Sequence, residues 1–558
     1  MNLSTHKIAV AFASAVLLTG CGTPAIISTP IENIDTVPLK TIPLSDTQLK
    51  NWKAADLVSD TIPGMSVDKA YNEIIKGRKG KTVIVGVIDS GVDIEHEDLD
   101  GVIWTNPGEI KGNGKDDDNN GYIDDVHGWN YLGDSTNENL EFVRIIKKLK
   151  PKYQGKTLSD VAALDRSEYQ LYIEAKAEYE KEYQETKGNK DQYEQIFNQI
   201  QVSHKALTEA LGKEDYSSAE VAQLNPETPE MKQHAGFISQ MFGFANGDER
   251  IPDLIANLKE GIEYFSSSLN YNLNLEFDGR KNVGDNVDDL TDTAYGNNNV
   301  MGPEPDKKGL KHGTHVAGII AGERGNDKGV DGVAQNTKIM VLRAVPDGDE
   351  YDKDIALAIR YAVDNGAKVI NTSFGKYFST HPEWVQDAIK YAADNDVLIV
   401  NAAGNEGINL DEKAVYPNDQ ETTGSEIANT FLTVGALNYE YGGNLVANFS
   451  NYGKSNVDVF APGVKIWATT PLNTYEYLQG TSMAAPAVAG VAAMIRSYYP
   501  KLSAAQVKQV LMNSGLSTKA TVVIGGDAAN TGNFTELSKS GKMVNLYNAL
   551  IYADKMSK

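Results

Sequence analysis

The chain has 558 residues, 41% of them hydrophobic, which is enough for a large buried core divided into roughly two to four structural units. Acidic residues outnumber basic ones by 76 to 52, so the formal net charge is −24 and the isoelectric point lies near 4.8. So acidic a chain excludes nucleic acid as a partner, because phosphate binding needs a basic face. The same carboxylates are suitable ligands for divalent cations.

The first 21 residues have the pattern of an export signal. A short segment with one lysine precedes an apolar run at 8–18, which is too short to span a bilayer. The run ends in Leu18-Thr19-Gly20-Cys21, and Cys21 is the only cysteine. This pattern is similar to a bacterial lipoprotein signal, in which the chain is cleaved before the cysteine and lipid is attached to its sulfur. We expect a cell-envelope lipoprotein that meets the membrane only through Cys21, the alternative being an ordinary signal peptide cleaved elsewhere.

The first regular element that the sequence predicts is a buried strand. Residues 22–63 lack periodicity and contain several prolines, which indicates a tether or N-terminal segment. The β-branched run at 81–88 then predicts a strand of a parallel sheet. It ends at Asp89-Ser90-Gly91, and in open α/β sheets chemistry gathers at the carboxyl ends of strands. Asp89 is therefore a candidate catalytic carboxylate, the alternative being an aspartate that caps the next turn.

An acidic loop follows this strand. Oxygen-bearing side chains fall at positions 1, 3, 5 and 9 of a calcium-loop pattern, and Gly121 takes the sharply turning position 6. Position 12 is His127 rather than the bidentate glutamate of an EF-hand, so the pattern is incomplete, and an acidic solvated turn is the alternative. The predicted ligands of a structural calcium ion are Asp116, Asp118, Asn120, Tyr122 and Asp124.

Residues 135–269 differ from the rest of the chain in composition and periodicity, and they predict an inserted helical subdomain. Alanine, glutamate, lysine and glutamine are frequent, and apolar or aromatic positions recur every three or four residues. Helices are predicted at 159–186, 191–211, 228–242 and 252–269. The stripe of apolar and aromatic residues is interpreted as internal packing; its members are Leu164, Tyr169, Tyr172, Ile173, Tyr179 and Tyr183.

A helix of small residues begins near Lys311 and carries two histidines three positions apart. Zinc binding is one interpretation of His312 and His315, since histidines at helical spacing can ligate this metal. The segment lacks the glutamate of a His-Glu-x-x-His motif and has no cysteine nearby. A catalytic His312 with a packing role for His315 is the simpler hypothesis.

Strands and helices alternate after this helix. Strands are predicted at 338–344, 368–374 and 397–402, with helices at 353–365 and 383–395 between them. This alternation indicates a parallel sheet covered by helices on both faces. The third strand leads into a tight loop that presents the side-chain amide of Asn405. Further strands are predicted at 427–437, 445–450 and 457–469, and a helix at 502–514.

The heptapeptide Gly480-Thr481-Ser482-Met483-Ala484-Ala485-Pro486 precedes a run of small apolar residues that predicts a buried helix. Ser482 then lies at the N-terminus of this helix, where free backbone N–H groups favour negative charge. A nucleophilic serine suits this place, because its attack creates an oxyanion within reach of those groups. The alternative is a serine that caps an ordinary buried helix.

Three segments stand in the order Asp, His, Ser, and a fourth lies between the last two. They are Asp89-Ser90-Gly91, His312-Gly313-Thr314-His315-Val316-Ala317-Gly318, Ala403-Gly404-Asn405-Glu406-Gly407 and Gly480-Thr481-Ser482-Met483-Ala484-Ala485-Pro486. With these motifs in this order, the chain resembles the subtilisin-like serine peptidase family, the subtilases, in a bacterial lipoprotein form with a long helical insertion. The resemblance covers roughly residues 52–130 and 270–558.

The resemblance implies a role for each catalytic candidate. Ser482 would be the nucleophile, and His312 would take its proton and later give it to the leaving amine. Asp89 would orient His312 and stabilise its cationic form, and Asn405 would donate a hydrogen bond to the oxyanion.

Other residues are implied by the same resemblance to hold substrate and calcium. The segment Ser373-Phe374-Gly375 resembles the family strand that pairs with the substrate backbone and forms a wall of the specificity pocket. Asp98 matches an acidic position that ligates calcium in many relatives, together with Asn326 or Asp327.

The predicted fold class is α/β, a subtilisin-like, mostly parallel sheet with helices on both faces, plus an inserted helical subdomain. The catalytic domain is divided into residues 64–134 and 270–558 by the insertion, which we expect to border or cover the cleft. The implied function is that of an exported, lipid-anchored serine endopeptidase that cleaves protein or peptide substrates through an acyl-enzyme. The alternatives are a non-catalytic, calcium-stabilised binding protein on a peptidase scaffold and a Ser-Glu-Asp acid peptidase.

Overall fold

A seven-stranded parallel sheet forms the centre of the molecule, for which a computed structural model describes residues 26–244, 250–420 and 424–558. The strands are β1 (Val83–Asp89), β2 (Gly128–Asn130), β3 (Thr337–Arg343), β4 (Val369–Thr372), β5 (Leu398–Ala402), β6 (Phe431–Leu437), β7 (Val459–Pro462), β8 (Ile466–Thr470), β9 (Thr474–Leu478), β10 (Thr521–Ile524) and β11 (Asp527–Asn533). The main sheet has the order β2-β3-β1-β4-β5-β6-β7, and all its pairings are parallel. The pairs β8–β9 and β10–β11 are antiparallel.

Helices cover both faces of this sheet. They are α1 (Asp46–Asn51), α2 (Leu57–Asp60), α3 (Val67–Ala70), α4 (Glu141–Tyr153), α5 (Arg166–Leu211), α6 (Ser218–Ala222), α7 (Pro229–Phe244), α8 (Ile251–Ser267), α9 (Lys311–Ala321), α10 (Asp352–Asp364), α11 (Pro382–Asp394), α12 (Thr481–Tyr498), α13 (Ala504–Ser514) and α14 (Leu546–Met556). One core cluster joins the sheet to α9, α12, α13 and α14, and a second joins its other face to α10 and α11. The prediction of an α/β fold with helices on both faces of a parallel sheet is confirmed.

The inserted region is helical, with α5 as its long central element. Its apolar residues form two clusters, one near the sheet with α4 and one farther out with α7 and α8. Tyr169 and Tyr172 of the predicted stripe are buried, whereas Leu164 is 98% exposed. The break predicted near Gly188 is absent, and α5 is continuous through this glycine. A salt bridge from Lys187 to Asp191 spans the position and offsets part of the roughly 1 kcal/mol cost of a helical glycine.

The N-terminal segment packs on the body of the protein for most of its described length. Ile34 and Trp52 are almost fully buried, and the backbone of Ile31 exchanges two hydrogen bonds with Asn548. The part of this segment that can act as a free tether is therefore shorter than its composition suggests. Cys21 and the whole predicted export signal lie outside the described residues.

Two predicted strands differ from the structure. Residues 445–450 form no strand but a single bridge from Val446 to Leu437. The run 457–469 is divided into β7 and β8, because the chain turns at Pro462-Gly463. Among the described residues, no helix has the length and apolar character needed to cross a membrane.

Candidate active site

The carboxyl ends of neighbouring strands bring the predicted site residues to one edge of the sheet. β1 ends at Asp89, and the preceding residue, Ile88, pairs with Thr372 at the end of β4. Thr372 in turn pairs with Asn401 of β5. The segment after β4 and the loop that carries Asn405 therefore start beside Asp89, although they are far apart in the sequence.

Asp89 and His312 form a direct hydrogen bond. The distance between Asp89 Oδ1 and His312 Nδ1 is 2.7 Å, and the same oxygen accepts a bond from the N–H of Ser90. The carboxylate is buried, whereas the imidazole is partly open to solvent. Gly313 permits this approach, since a Cβ there would lie 2.1 Å from the carbonyl oxygen of Gly91.

The carboxylate determines the proton affinity of His312. Burial by itself would lower the pKa of this imidazole, because it disfavours the charged form. The charge of Asp89 and its hydrogen bond outweigh that effect, so the pKa of His312 is raised above its ordinary value. Bonding at Nδ1 leaves Nε2 as the nitrogen that can exchange protons on the open side.

Ser482 lies in the first turn of α12 and faces the end of β4. Its Oγ donates a hydrogen bond to the carbonyl oxygen of Ser373 at 3.1 Å, and Ser373 Oγ donates to the carbonyl oxygen of Ser482 at 2.9 Å. Among the described residues, no hydrogen bond joins Ser482 to His312 in this structure. Catalytic hydrogen bonds often form only in the complex with substrate.

The side-chain amide of Asn405 is oriented by Thr481. Asn405 Oδ1 accepts hydrogen bonds from the backbone N–H of Thr481 at 2.8 Å and from its hydroxyl at 3.1 Å. The hydroxyl of Thr481 also accepts a bond from the N–H of Gly404, which fixes the loop. With its oxygen held in this way, Asn405 presents its NH₂ group next to the N-terminus of α12. Sequence reasoning missed this role of Thr481, although it adjoins the predicted nucleophile.

His315 has a structural role in this arrangement. It is fully buried, and its Nε2 contacts the carbonyl oxygens of Ile466 on β8 and Glu476 on β9. Burial lowers the pKa of His315 to about 3, so the ring is neutral. It therefore holds the β8–β9 hairpin against α9, in agreement with the packing role predicted from the sequence.

The three predicted substrate-binding residues follow β4 directly. Ser373 is buried beside the nucleophile, Phe374 is half-buried, and Gly375 is exposed. A Cβ at Gly375 would lie 3.0 Å from the side chain of Val415. A larger residue at position 375 would therefore narrow the gap between the segment after β4 and the segment that contains Val415. Beyond Gly375, Lys376 pairs with Tyr416 through two backbone hydrogen bonds.

A cavity of about 500 Å³ opens beside His312. Asp89 and His312 line one side, and Arg343 and Asp347 after β3 line another. Thr136 and Asn137, near the start of the insertion, also line the cavity, and Asn137 forms a bridge with Asp347. The insertion therefore begins at the rim of the cavity next to the candidate base.

The predicted calcium loop brings together a somewhat different set of carboxylates. Glu109, Asp118 and Asp125 place one oxygen each within 4.8 Å of one another. Burial raises the pKa of Glu109, and the charges of Asp125 and Asp118 add to this rise. Glu109 Oε2 is buried without a hydrogen-bond partner, so the donor set suits a hard cation.

The other predicted ligands have partners within the loop. Asp116 accepts hydrogen bonds from the N–H groups of Asn120 and Gly121, and Asn120 Oδ1 accepts one from Tyr122. The carboxylate of Asp124 accepts three backbone N–H bonds from residues 112–114 and faces that turn. Asp98 accepts bonds from the side chain of Asn326 and the N–H of Val330.

Comparison with known proteins gives the family. The sequence profile of the peptidase S8 family, the subtilase family, matches residues 80–539, so the chain belongs to this family. A thermophilic serine proteinase of Bacillus sp. (strain AK1) is 43% identical over 188 residues, which are 33% of this chain and 42% of that protein. Subtilisin DY of Bacillus licheniformis is 36% identical over 217 residues, which are 38% of this chain and 74% of that protein.

A solved protease structure from Pseudoalteromonas arctica is also similar, with 30% identity over 43% of this chain and 70% of that chain and a TM-score of 0.36. The chain spans less than half the length of the Bacillus sp. proteinase. The relatives are named as subtilisins and serine proteinases, and these names support a serine-type endopeptidase.

Replacing Asn405 by alanine is expected to lower kcat by about 10²–10³, the usual effect of removing one donor to an oxyanion. KM should change little, because the bond forms mainly in the transition state. The measurement is steady-state hydrolysis of a peptide anilide. Asn444→Ala is the control, since Asn444 is exposed and its side chain donates a hydrogen bond to the carboxylate of Glu440. A variant with unchanged kcat would remove Asn405 from the site.

Proposed function

We propose that this protein is an exported, lipid-anchored serine endopeptidase that hydrolyses peptide bonds through an acyl-enzyme. The observation that carries the proposal is the 2.7 Å hydrogen bond between buried Asp89 and half-open His312 at the sheet edge where Ser482 begins α12. Membership of the subtilase family supports the same chemistry. The apolar run and lone Cys21 at the N-terminus support export and attachment of lipid.

Each step of the reaction uses one of these groups. Ser482 Oγ exchanges its bond to Ser373 for one to His312 Nε2, which removes the hydroxyl proton as the oxygen attacks the substrate carbonyl. The NH₂ group of Asn405 and the N–H of Ser482 stabilise the oxyanion. His312 then protonates the leaving amine, and water hydrolyses the ester on Ser482 by the same steps in reverse order.

The experiment that tests this activity is labelling with a fluorophosphonate probe, which reacts only with an activated serine. We expect the parent protein to be labelled and Ser482→Ala to remain unlabelled. Ser514→Ala is the control, because this serine bonds Val510 within α13 and lies outside the site. A folded, calcium-loaded parent that takes no label would contradict the proposal and favour a binding protein on a peptidase scaffold.

The pH profile of this enzyme should show an acid limb above the ordinary imidazole pKa of about 6.5. Only neutral His312 can accept the proton of Ser482, and Asp89 raises the pKa of His312. Activity is therefore lost as pH falls through this raised value and is retained above it. The measurement is kcat/KM against pH. A limb at or below the ordinary value, or a maximum at acid pH as in a Ser-Glu-Asp peptidase, would contradict this assignment.

The proposal includes a structural calcium ion, which Glu109, Asp118 and Asp125 would hold. Chelation should lower the thermal midpoint, since an ion at a hundred times its Kd stabilises the folded state by about 2.7 kcal/mol. The double variant Glu109→Gln, Asp118→Asn should have the same thermal midpoint in the presence of calcium and in the presence of a chelator. Differential scanning calorimetry of the parent protein and of this double variant measures the midpoints. Equal midpoints with and without calcium in the parent would remove the ion from the proposal.

A further inference from the structure

The segment between Cys21, the predicted lipid-bearing residue, and the folded body is short. Ile26 already packs on the core of the body, and the backbone of Ile31 is then held by its two hydrogen bonds with Asn548. Five positions separate Cys21 from Ile26, and even a fully extended chain of this length reaches no more than about 18 Å. If Cys21 carries lipid, as the proposed function states, the body lies close to the bilayer, and the surface near residues 26–31 faces it.

Further contacts hold the following residues in place. Ile34 is buried, and its carbonyl oxygen accepts a hydrogen bond from Tyr441. The carboxylate of Asp35 accepts bonds from the hydroxyl of Thr518 and the N–H of Lys519. The loop that follows, residues 38–44, therefore leaves the body from a fixed point rather than from a free tether.

This loop exposes two large aliphatic side chains on the surface that the lipid would bring to the bilayer. Leu39 is 60% exposed and Ile42 is 74% exposed, and both belong to a rim around a cavity of about 540 Å³. Tyr439 and Tyr441, which follow β6, line the same cavity together with Lys465, which follows β7. Aliphatic side chains beside tyrosine and lysine are the composition of surfaces that lie at a membrane interface.

The surface is far from the helical insertion. Tyr439, Tyr441 and Lys465 lie off the β6–β7 end of the sheet, whereas the insertion leaves the chain after β2 at the opposite end. Seven strands at the usual spacing separate these ends by about 29 Å. Contact of the loop with a membrane would therefore not require contact of the insertion with it.

We infer that the loop 38–44 is a membrane-docking surface, in which Leu39 and Ile42 enter the interface of the phospholipid bilayer that holds the lipid of Cys21. This inference rests on the lipid anchor of the proposed function. A lipid chain confers attachment but not orientation, and the two side chains supply a second point of contact. The enzyme then has one preferred orientation, with the insertion directed away from the bilayer.

The test uses the single cysteine of the chain. The sulfur of Cys21 is occupied when lipid is attached, so Ile42→Cys adds the one free thiol of the full-length lipidated protein. This thiol is labelled with an environment-sensitive fluorophore, and the protein is reconstituted into vesicles of phosphatidylethanolamine and phosphatidylglycerol. Leu164→Cys is the matched control, because Leu164 is 98% exposed and lies on the insertion.

We expect nitroxide lipids to quench half or more of the fluorescence at position 42 and almost none at position 164. Equal quenching at the two positions, in protein that floats with the vesicles, would overturn the inference and leave the lipid anchor intact. Failure of the anchor itself is seen separately, as protein that does not float and whose Cys21 lacks lipid by mass spectrometry. That result would remove the basis of the docking surface as well.

Discussion

Replacing Ser482 or His312 by alanine is expected to lower kcat by about 10⁶, the loss found when either group is removed from a subtilisin. Without Ser482 no acyl-enzyme forms, and without His312 no group takes the hydroxyl proton. The double variant should be hardly slower than either single one, because the two groups act as a unit. Single-turnover and steady-state hydrolysis of a peptide ester measure kcat for the two single variants and the double variant.

Ser514→Ala and circular dichroism serve as controls for folding in this series. Ser514 lies on α13, so Ser514→Ala should retain full activity. All variants should show the circular dichroism spectrum of the parent protein. The contrary result would be a kcat of the double variant that is lower than that of either single variant by a further factor of about 10⁶. This result would mean that Ser482 and His312 act in separate steps. A loss of tenfold or less in Ser482→Ala would identify a different nucleophile.

Replacing Asp89 by asparagine is expected to lower kcat by about 10⁴. The side chain keeps its size, but its NH₂ group can donate to His312 Nδ1, so the proton of the imidazole moves to Nε2. That nitrogen then cannot accept the proton of Ser482. The lost negative charge also removes the cause of the raised pKa of His312, and the acid limb of kcat/KM should move to lower pH.

Asp56→Asn is the matched control for this change. Asp56 is another buried aspartate, but it caps α2 through the N–H groups of Val58 and Ser59, away from the site. This variant should lose stability without loss of kcat. If Asp89→Asn retains both the rate and the acid limb of the parent, the carboxylate does not orient His312.

Several predictions depended only on local pattern and needed no tertiary information. The β-branched run that forms β1, the alternation from β3 to β5 and the small residues of α9 and α12 all lie close to their predicted bounds. Strands of a buried parallel sheet are apolar throughout, and helices between them have their own periodicity, so each leaves a local signal. The order of the Asp, His and Ser motifs was sufficient to predict the family.

Other features depend on contacts between distant residues and could not be predicted. Thr481 orients Asn405 from 76 positions away, and Glu109 joins Asp118 and Asp125 only because the loop folds back. The continuity of α5 through Gly188 is supported by the salt bridge from Lys187 to Asp191 across the glycine and by packing at both ends of the helix. The burial of the N-terminal segment likewise results from partners near the C-terminus, such as Asn548.

The sequence by itself therefore determined which elements form and which side chains are available for chemistry, because hydrophobic period and turn residues act within a few positions. Only the tertiary structure decided how those side chains meet: that Asp89 Oδ1 lies 2.7 Å from His312 Nδ1, that the amide of Asn405 is held by Thr481, and that Asn137 of the insertion pairs with Asp347 beside the cavity. The physical reason is that hydrogen bonds, burial and pKa shifts depend on distances of a few ångströms, and chain folding alone sets these distances for residues far apart in sequence.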